Sequence, residues 1–97
     1  MRAIREEERA RRAVDAAYSR WAMTDEAWQA VTWALARDPY SAGPALSESG
    51  LVRTFVFEGA RSISMPTVRV LYVIEPAAVS ITVAVFEESV HLYAGRA

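Results

Sequence analysis

The sequence predicts an α+β fold, with two N-terminal helices packed on one face of a three- to four-stranded antiparallel sheet. Two segments of helical periodicity come first, alternating apolar runs follow, and a four-residue segment with Pro76 joins the last two runs. These two runs, 68–74 and 79–86, are β-branched and have the composition of an antiparallel hairpin. Helices that precede all strands are typical of α+β domains rather than of alternating βαβ units.

The composition predicts one folded domain over residues 1–97. Its hydrophobic share of 53% is too high for a disordered chain and sufficient for a single modest core. The chain has no cysteine and one histidine, His91, which argues against a disulfide and a structural zinc site. We therefore expect no cofactor and no metal.

The distribution of charge limits location and partners. The N-terminus is charged, and no apolar run approaches the roughly 20 residues of a membrane helix, so we expect a cytoplasmic protein without membrane contact. The net charge of −1 argues against broad, non-specific binding of nucleic acid. All eleven basic residues are arginine, whose planar guanidinium suits phosphate and carboxylate.

Two helices are predicted in the N-terminal half. The first spans 4–21, where apolar residues recur at spacings of three and four, namely Ala10, Ala13, Val14, Ala17, Tyr18 and Trp21. The second spans 25–37 and carries an apolar stripe of Trp28, Val31 and Leu35. Trp33 points away from that stripe, Thr24 and Asp25 are candidate N-caps, and the Asp38-Pro39 step ends the helix.

Strands are predicted at 51–57 and, as a short strand, at 61–65, ahead of the hairpin. If Ile74 lies opposite Val79, regular alternation produces one wholly apolar hairpin face, which the helices cover: Val68, Val70, Tyr72, Ile74, Val79, Ile81, Val83 and Val85. The opposite, open face is expected to carry Arg69, Leu71, Val73, Ser80, Thr82, Ala84 and Phe86, together with Leu51, Arg53, Phe55 and Phe57 of the preceding strand. The conformation of 87–97 stays open between loop, strand and short helix.

About half of the chain resembles the RelE/ParE toxin superfamily of type II toxin–antitoxin modules. The resemblance rests on a helix that ends LARDP, a loop with Gly43 and Leu46, a strand that carries Arg53, and the segment RVLYVIEP at 69–76. It implies a small α+β toxin that a co-expressed antitoxin neutralises. RelE-like members cut messenger RNA in the ribosome, whereas ParE-like members inhibit DNA gyrase and have no nuclease activity.

Two features depart from that pattern. Members of the superfamily commonly begin with a strand, whereas a charged helical segment is predicted here. Active RelE-like nucleases carry basic residues directly after the last apolar strand, where this chain has Glu87 and Glu88. Two carboxylates at that position repel a phosphate.

Four residues are candidates for RNA cleavage, which needs cations on the phosphate, a base for the 2′-hydroxyl and an acid for the leaving oxygen. Arg69 on the open face supplies a cation, and the resemblance adds Arg53, His91 and Tyr93. Structural roles remain open for each of them. Arg69 could be a solvated residue on the sheet surface, and the aliphatic part of Arg53 could pack over apolar neighbours. His91 could be an ordinary surface residue, and Tyr93 could cover the edge of the core.

The first functional hypothesis is a toxin-like protein that acts as a metal-independent, ribosome-dependent endoribonuclease. The alternatives are a ParE-like inhibitor of DNA gyrase, a degenerate homologue that only binds protein, and an unrelated α+β domain. Expected partners are a cognate antitoxin or a second copy of the chain, on the open sheet face or along a sheet edge. The ribosome with its messenger RNA, or DNA gyrase, is the expected target.

Overall fold

The computed structural model describes residues 1–93. In chain order its elements are β1 (Ala3–Glu6), α1 (Glu8–Ala17), α2 (Thr24–Arg37), α3 (Pro39–Ala42), β2 (Val52–Phe57), a 3-10 turn (Arg61–Ile63), β3 (Thr67–Ile74) and β4 (Ala78–Glu87). The strands form one sheet in the order β1-β4-β3-β2. None of the helices within 1–93 has the length and hydropathy of a membrane-spanning segment.

The α+β class is confirmed, and so is the packing of the two long helices against the sheet. The buried core joins α1 and α2 to the centre of the sheet through Val14, Val31, Leu35, Tyr72 and Ile81. The sheet is mixed rather than wholly antiparallel, because β1 runs parallel to β4 while the other neighbours are antiparallel.

The predicted start of the first helix at residue 4 is wrong, since 3–6 form strand β1. Ile4 pairs with Val79 and packs against the core. The carboxylate of Glu6 accepts hydrogen bonds from Trp28 Nε1 at 2.8 Å and from Arg11 Nη1 at 2.7 Å. The contacts of Ile4 with Val79 and of Glu6 with Trp28 join residues distant in the chain, and they override the local helical pattern of this segment.

The apolar stripe of α2 is confirmed, and Ala10, Val14 and Ala17 of α1 are buried as predicted. Trp28 is buried, and Trp33 points to solvent with 55% of its surface exposed, both as expected. The predicted end of the first helix at residue 21 is wrong, because α1 ends at Ala17, and Tyr18 beyond it is 47% exposed.

The predicted N-cap of α2 is also wrong. Met23 precedes the first turn of α2 and provides no side-chain cap. The hydroxyl of Thr24 donates instead to the carbonyls of Ala17 and Trp21, at 3.0 and 2.8 Å, which closes the end of α1.

A β-bulge changes the predicted faces of the hairpin. Ile74 pairs with Val79 and Tyr72 with Ile81, as predicted, but the register then shifts and Leu71 pairs with Val83. Thr82 is the extra residue, and its hydroxyl donates to the carbonyl of Leu71 at 3.2 Å. Such an insertion reverses the faces of every residue that follows it.

The bulge places Val83 and Val85 on the open side of the sheet, so their predicted position under the helices is wrong. Ala84 and Phe86, predicted on the open side, lie on the helix side. The ring of Phe86 has its centroid 5.7 Å from that of Trp28.

The face predicted for β2 is also wrong. Arg53 pairs with Tyr72 and Phe55 with Val70, so they lie on the helix side, where Phe57 follows. The phenylalanines pack against the core. The open face is therefore built from the other residues of these strands: Val52, Thr54, Val56, Arg69, Leu71, Val73, Val83, Val85 and Glu87.

The segment predicted as a strand at 61–65 is a 3-10 turn, with an isolated bridge between Ala60 and Met65. From 88 to 93 the chain is neither helix nor strand. It is held by the hydroxyl of Ser89, which donates to the carbonyl of Gly59 at 2.8 Å, and by its backbone bonds to 61–62. Residues 94–97 of the undecided tail lie outside the described residues.

Candidate functional site

The two predicted catalytic arginines lie on opposite faces of the sheet. In the β2–β3 ladder Arg53 pairs with Tyr72, and Arg69 pairs with Val56, three positions further along. Because strand side chains alternate, this odd spacing directs the two guanidinium groups to opposite sides. They cannot hold the same phosphate.

Arg53 holds the loop that precedes β2. Its Nε donates to the carbonyl of Gly50 at 2.7 Å, and its Nη1 donates to the carbonyl of Gly43 at 2.8 Å. The guanidinium carbon also lies 5.7 Å from the centre of the Tyr40 ring, a cation–π contact. These contacts join both ends of the 43–50 loop to the sheet, which is a structural role.

Tyr72, the ladder partner of Arg53, anchors the short helix α3. Its side chain is fully buried, and its hydroxyl donates to the carbonyl of Pro39 at 2.6 Å. Burial raises the pKa of the Tyr72 hydroxyl, and the nearby positive charge of Arg53 opposes that change. The two residues together fasten α3 and the following loop to the centre of the sheet.

Removal of the Arg53 side chain should therefore cost stability. We expect Arg53→Ala to lower the free energy of unfolding by about 2 kcal/mol, because two carbonyls lose a charged donor. Arg69→Ala, which removes an exposed arginine, should lower it much less. Urea unfolding of the two variants measures the difference, and equal effects would contradict the structural role of Arg53.

Arg69 lies exposed on the open face and is paired with a carboxylate. Its Nε donates to Glu87 Oε1 at 2.5 Å. This hydrogen bond and the charge of Glu87 raise the pKa of Arg69, and the charge of Glu58 adds to the effect. The carboxylate of Glu87 therefore competes with a phosphate for Arg69.

His91 lies at the same end of the sheet as Arg69. Its Nε2 is 3.5 Å from Glu58 Oε1, and the same oxygen accepts a hydrogen bond from Thr67 Oγ1 at 3.4 Å. Glu58 thus contacts His91, and its charge also acts on Arg69. Tyr93 has 66% of its surface exposed, and within 1–93 no hydrogen bond joins it to this group.

The structure therefore brings together Arg69, His91, Glu58 and Glu87, here called the Arg69 cluster. The sequence pattern singled out the two basic members, and it marked Glu87 as a departure from the nuclease pattern. Glu58 was not among the residues that the sequence pattern singled out. In this cluster one arginine stands beside two carboxylates, and the two carboxylates oppose the approach of a phosphate. Within 1–93, no three acidic or histidine side chains converge as ligands for a metal.

The open face offers a second kind of site. A depression of about 320 Å³ in it is lined mainly by apolar residues and by one cation, namely Thr54, Phe55, Val56, Arg69, Val70, Leu71, Val83 and Val85. Phe55 and Val70 belong to this lining although their side chains point to the helix side. Val85 is 48% exposed in spite of its size. A surface of this kind suits an apolar partner better than RNA.

Comparisons of the chain with models of known families, with curated proteins and with solved structures yield no match. The functional conclusions below therefore rest on the residues and their geometry.

Proposed function

We propose that this chain is the toxin-like component of a type II toxin–antitoxin module and acts by binding protein, not by cleaving RNA. It works in the cytosol and is neutralised by a co-expressed antitoxin. Its target is of the kind that ParE-like inhibitors bind, and DNA gyrase is the first target to test. The RelE-like nuclease is the second candidate.

Membership in the RelE/ParE superfamily is supported by the sequence resemblance and by the N-terminal strand. The superfamily commonly begins with a strand before its helices, and β1 has that place in this chain. The segment RVLYVIEP forms most of the central strand β3, with Tyr72 buried under the helices and Arg69 on the open face. The resemblance and the architecture thus agree in the order of their elements.

The pairing of Arg69 with Glu87 is the main observation that argues against RNA cleavage. A nuclease of this type needs positive charge that is free to meet the scissile phosphate. Here the one cation of the cluster is bonded to a carboxylate, and Arg53 is engaged on the other face with Gly43 and Gly50. An apolar surface, by contrast, is present and accessible.

The nuclease candidate is favoured by the position of His91. It lies within reach of Glu58 at the Arg69 end of the sheet, so an acid–base group and a cation occur together. If this candidate is correct, Glu87→Gln should free Arg69 and increase cleavage, whereas Arg69→Ala should reduce it by about 10²-fold or more.

Induced expression in a bacterial host tests the proposal. We expect growth arrest with intact messenger RNA, a change in plasmid supercoiling, and relief when the neighbouring reading frame is co-expressed. In Arg69→Ala, as in the wild type, messenger RNA should stay intact, because the arginine does no chemistry in this proposal. Ribosome-dependent cleavage that disappears in Arg69→Ala would replace our proposal with the nuclease. Arg61→Ala, a change at another exposed arginine, serves as the matched control.

A further inference from the structure

The two edge strands of the sheet, β1 and β2, differ in what lies beside them. The outer side of β2 is covered by the 43–50 loop, where the amide of Thr54 donates to the carbonyl of Pro44 at 3.2 Å. Within residues 1–93, the outer side of β1 has one backbone contact, at its start, where the amide of Arg2 donates to the carbonyl of Ala36 at 3.1 Å. Beyond that contact the edge of β1 is open.

Two residues of β1 direct their backbone groups to this open edge. The amide of Ala3 donates to the carbonyl of Ala77 at 3.3 Å, and the amide of Glu7 also donates to the β4 side. Because backbone groups alternate in direction along a strand, the amides and carbonyls of Ile4 and Glu6 point away from β4. Such unpaired groups at a strand edge are a template for another extended chain.

A groove of about 440 Å³ lies beside this edge, between β1 and α2. Its lining includes Ile4 and Glu6 of β1 and Trp28, Gln29, Thr32 and Trp33 of α2. The start of α2 lies near Glu6, to which Trp28 donates, and its end lies near Arg2. The groove is therefore open to those side chains of an added strand that point to the helix side.

Three side chains on the helix side of β1 determine which strand fits. Arg2, Ile4 and Glu6 present a cation, an aliphatic group and a carboxylate in that order, because alternate residues of a strand share a face. Opposite charges in cross-strand pairs stabilise a sheet. The complementary antiparallel strand therefore has an acidic residue opposite Arg2, an apolar residue opposite Ile4 and a basic residue opposite Glu6.

The other charged residues around the groove agree with this order. In the described part of the chain, cations exceed carboxylates at the first end, with Arg2 and Arg37 against Asp38. Carboxylates exceed cations at the second end, with Glu6 and Asp25 against Arg11. The polarity of the groove thus matches a peptide with one charge of each sign.

We propose that the groove between β1 and α2 binds an extended peptide segment of a partner protein as an added antiparallel strand, with the order basic–x–apolar–x–acidic. Its backbone pairs with Ile4 and Glu6, and its apolar side chain enters the groove beside Trp33. The pairing ends at Arg2, because Ala36 already accepts from that amide. The proposal depends neither on toxicity nor on a gyrase target, and it does not involve the open face.

A second copy of the chain is a poorer occupant of this edge. The strand β1 with Arg2 before it has the required order of charges, so an antiparallel copy would match it. A two-fold axis that pairs two such strands is, however, perpendicular to the sheet, and it brings α2 of the second copy to the side where α2 of the first forms the groove wall. A peptide without a helix of its own avoids this conflict.

Titration of the full chain with the peptide acetyl-Lys-Thr-Phe-Thr-Glu-amide, followed by amide chemical shifts in NMR, tests the proposal. Four backbone hydrogen bonds predict a weak complex, with Kd about 0.1–1 mM. The largest shifts should occur at Ile4, Glu6, Gln29, Thr32 and the indole of Trp33, which surround the groove.

Methyl groups on single nitrogens of the peptide test the strand pairing. The nitrogen of Phe faces the carbonyl of Ile4, so its methylation should weaken binding by about tenfold or more. The nitrogen of the following Thr points away from β1, so its methylation should change Kd by less than about twofold. The two peptides have the same composition and are matched controls for each other.

Variants of the chain test the groove and its charges. Trp33→Ala, which removes an exposed wall, should weaken binding by about fivefold or more, whereas Leu46→Ala, at a position 61% exposed outside the groove, should not. Arg2→Glu should weaken binding by about fivefold, and a peptide that ends in Lys in place of Glu should restore it. A folding defect in Arg2→Glu would not be corrected by a change in the peptide.

Four results would overturn the proposal. The first is no saturable binding up to about 10 mM peptide, and the second is an equal loss for both methylated peptides. The third is a set of shifts confined to the open face. The fourth is protection of the Ile4 and Glu6 amides that rises with protein concentration in the absence of peptide, which would assign the edge to a second copy.

Discussion

Gly43→Ala is expected to destabilise the protein by about 3 kcal/mol or more. The same exchange at Gly50, the other glycine of the 43–50 loop, should cost less. A Cβ at Gly43 would lie 1.6 Å from the carbonyl oxygen of Thr54 and 2.7 Å from its carbon. The backbone of Gly43 is extended, at φ −153° and ψ 169°, so the limit is space and not conformation.

The contacts around Gly43 explain why the loop cannot move aside. Its carbonyl accepts from Arg53 Nη1 at 2.8 Å, and the next residue, Pro44, accepts from the backbone amide of Thr54 at 3.2 Å. A shift of the loop away from β2 breaks both bonds. The added methyl group therefore costs either the steric overlap or these contacts.

Gly50→Ala is the matched control for this prediction. Gly50 has φ +76°, and its added Cβ would lie 3.4 Å from Arg53 Nη2, an ordinary contact. The cost there is conformational, about 1–2 kcal/mol. Urea unfolding of both variants measures the difference, and a Gly43→Ala protein as stable as Gly50→Ala would show that the close approach to Thr54 is not tight.

Ile81→Ala should cost about 2–5 kcal/mol, whereas Val85→Ala should change stability by less than about 1 kcal/mol. Without the bulge at Thr82, both side chains would lie under the helices. In the structure Ile81 is fully buried and Val85 is 48% exposed. The difference in stability between the two variants therefore reports the register of the β3–β4 hairpin.

Chemical denaturation at about 1 μM protein measures this difference without a contribution from association. Phe86→Ala is a third, informative variant, because the bulge brings Phe86 against Trp28. It should cost about 2 kcal/mol or more. A larger loss for Val85→Ala than for Phe86→Ala would mean that the hairpin keeps the regular register, with no bulge.

The candidate site was predicted only in part. Arg69 was placed correctly on the open face, since its neighbours Val68 and Val70 point into the core. The partner of Arg69 could not be foreseen, because the bulge determines that Glu87 lies on the same face. Arg53 was assigned to the wrong face because one run of alternation does not say which of its two sides meets the helices.

The sequence by itself determined the fold class, the hairpin and most of the core of this protein. Those features follow from local periodicity: apolar spacings of three and four in α2, and alternation in β3. Tertiary structure alone decided strand β1, the bulge at Thr82 and the face of Arg53. Each of these depends on contacts between residues distant in the chain, such as Ile4 with Val79, Leu71 with Val83 and Arg53 with Gly43. A local sequence pattern contains no information on the energies of such contacts. The pairing of Arg69 with Glu87, which sets the charge of the candidate site, was therefore also decided by the tertiary structure.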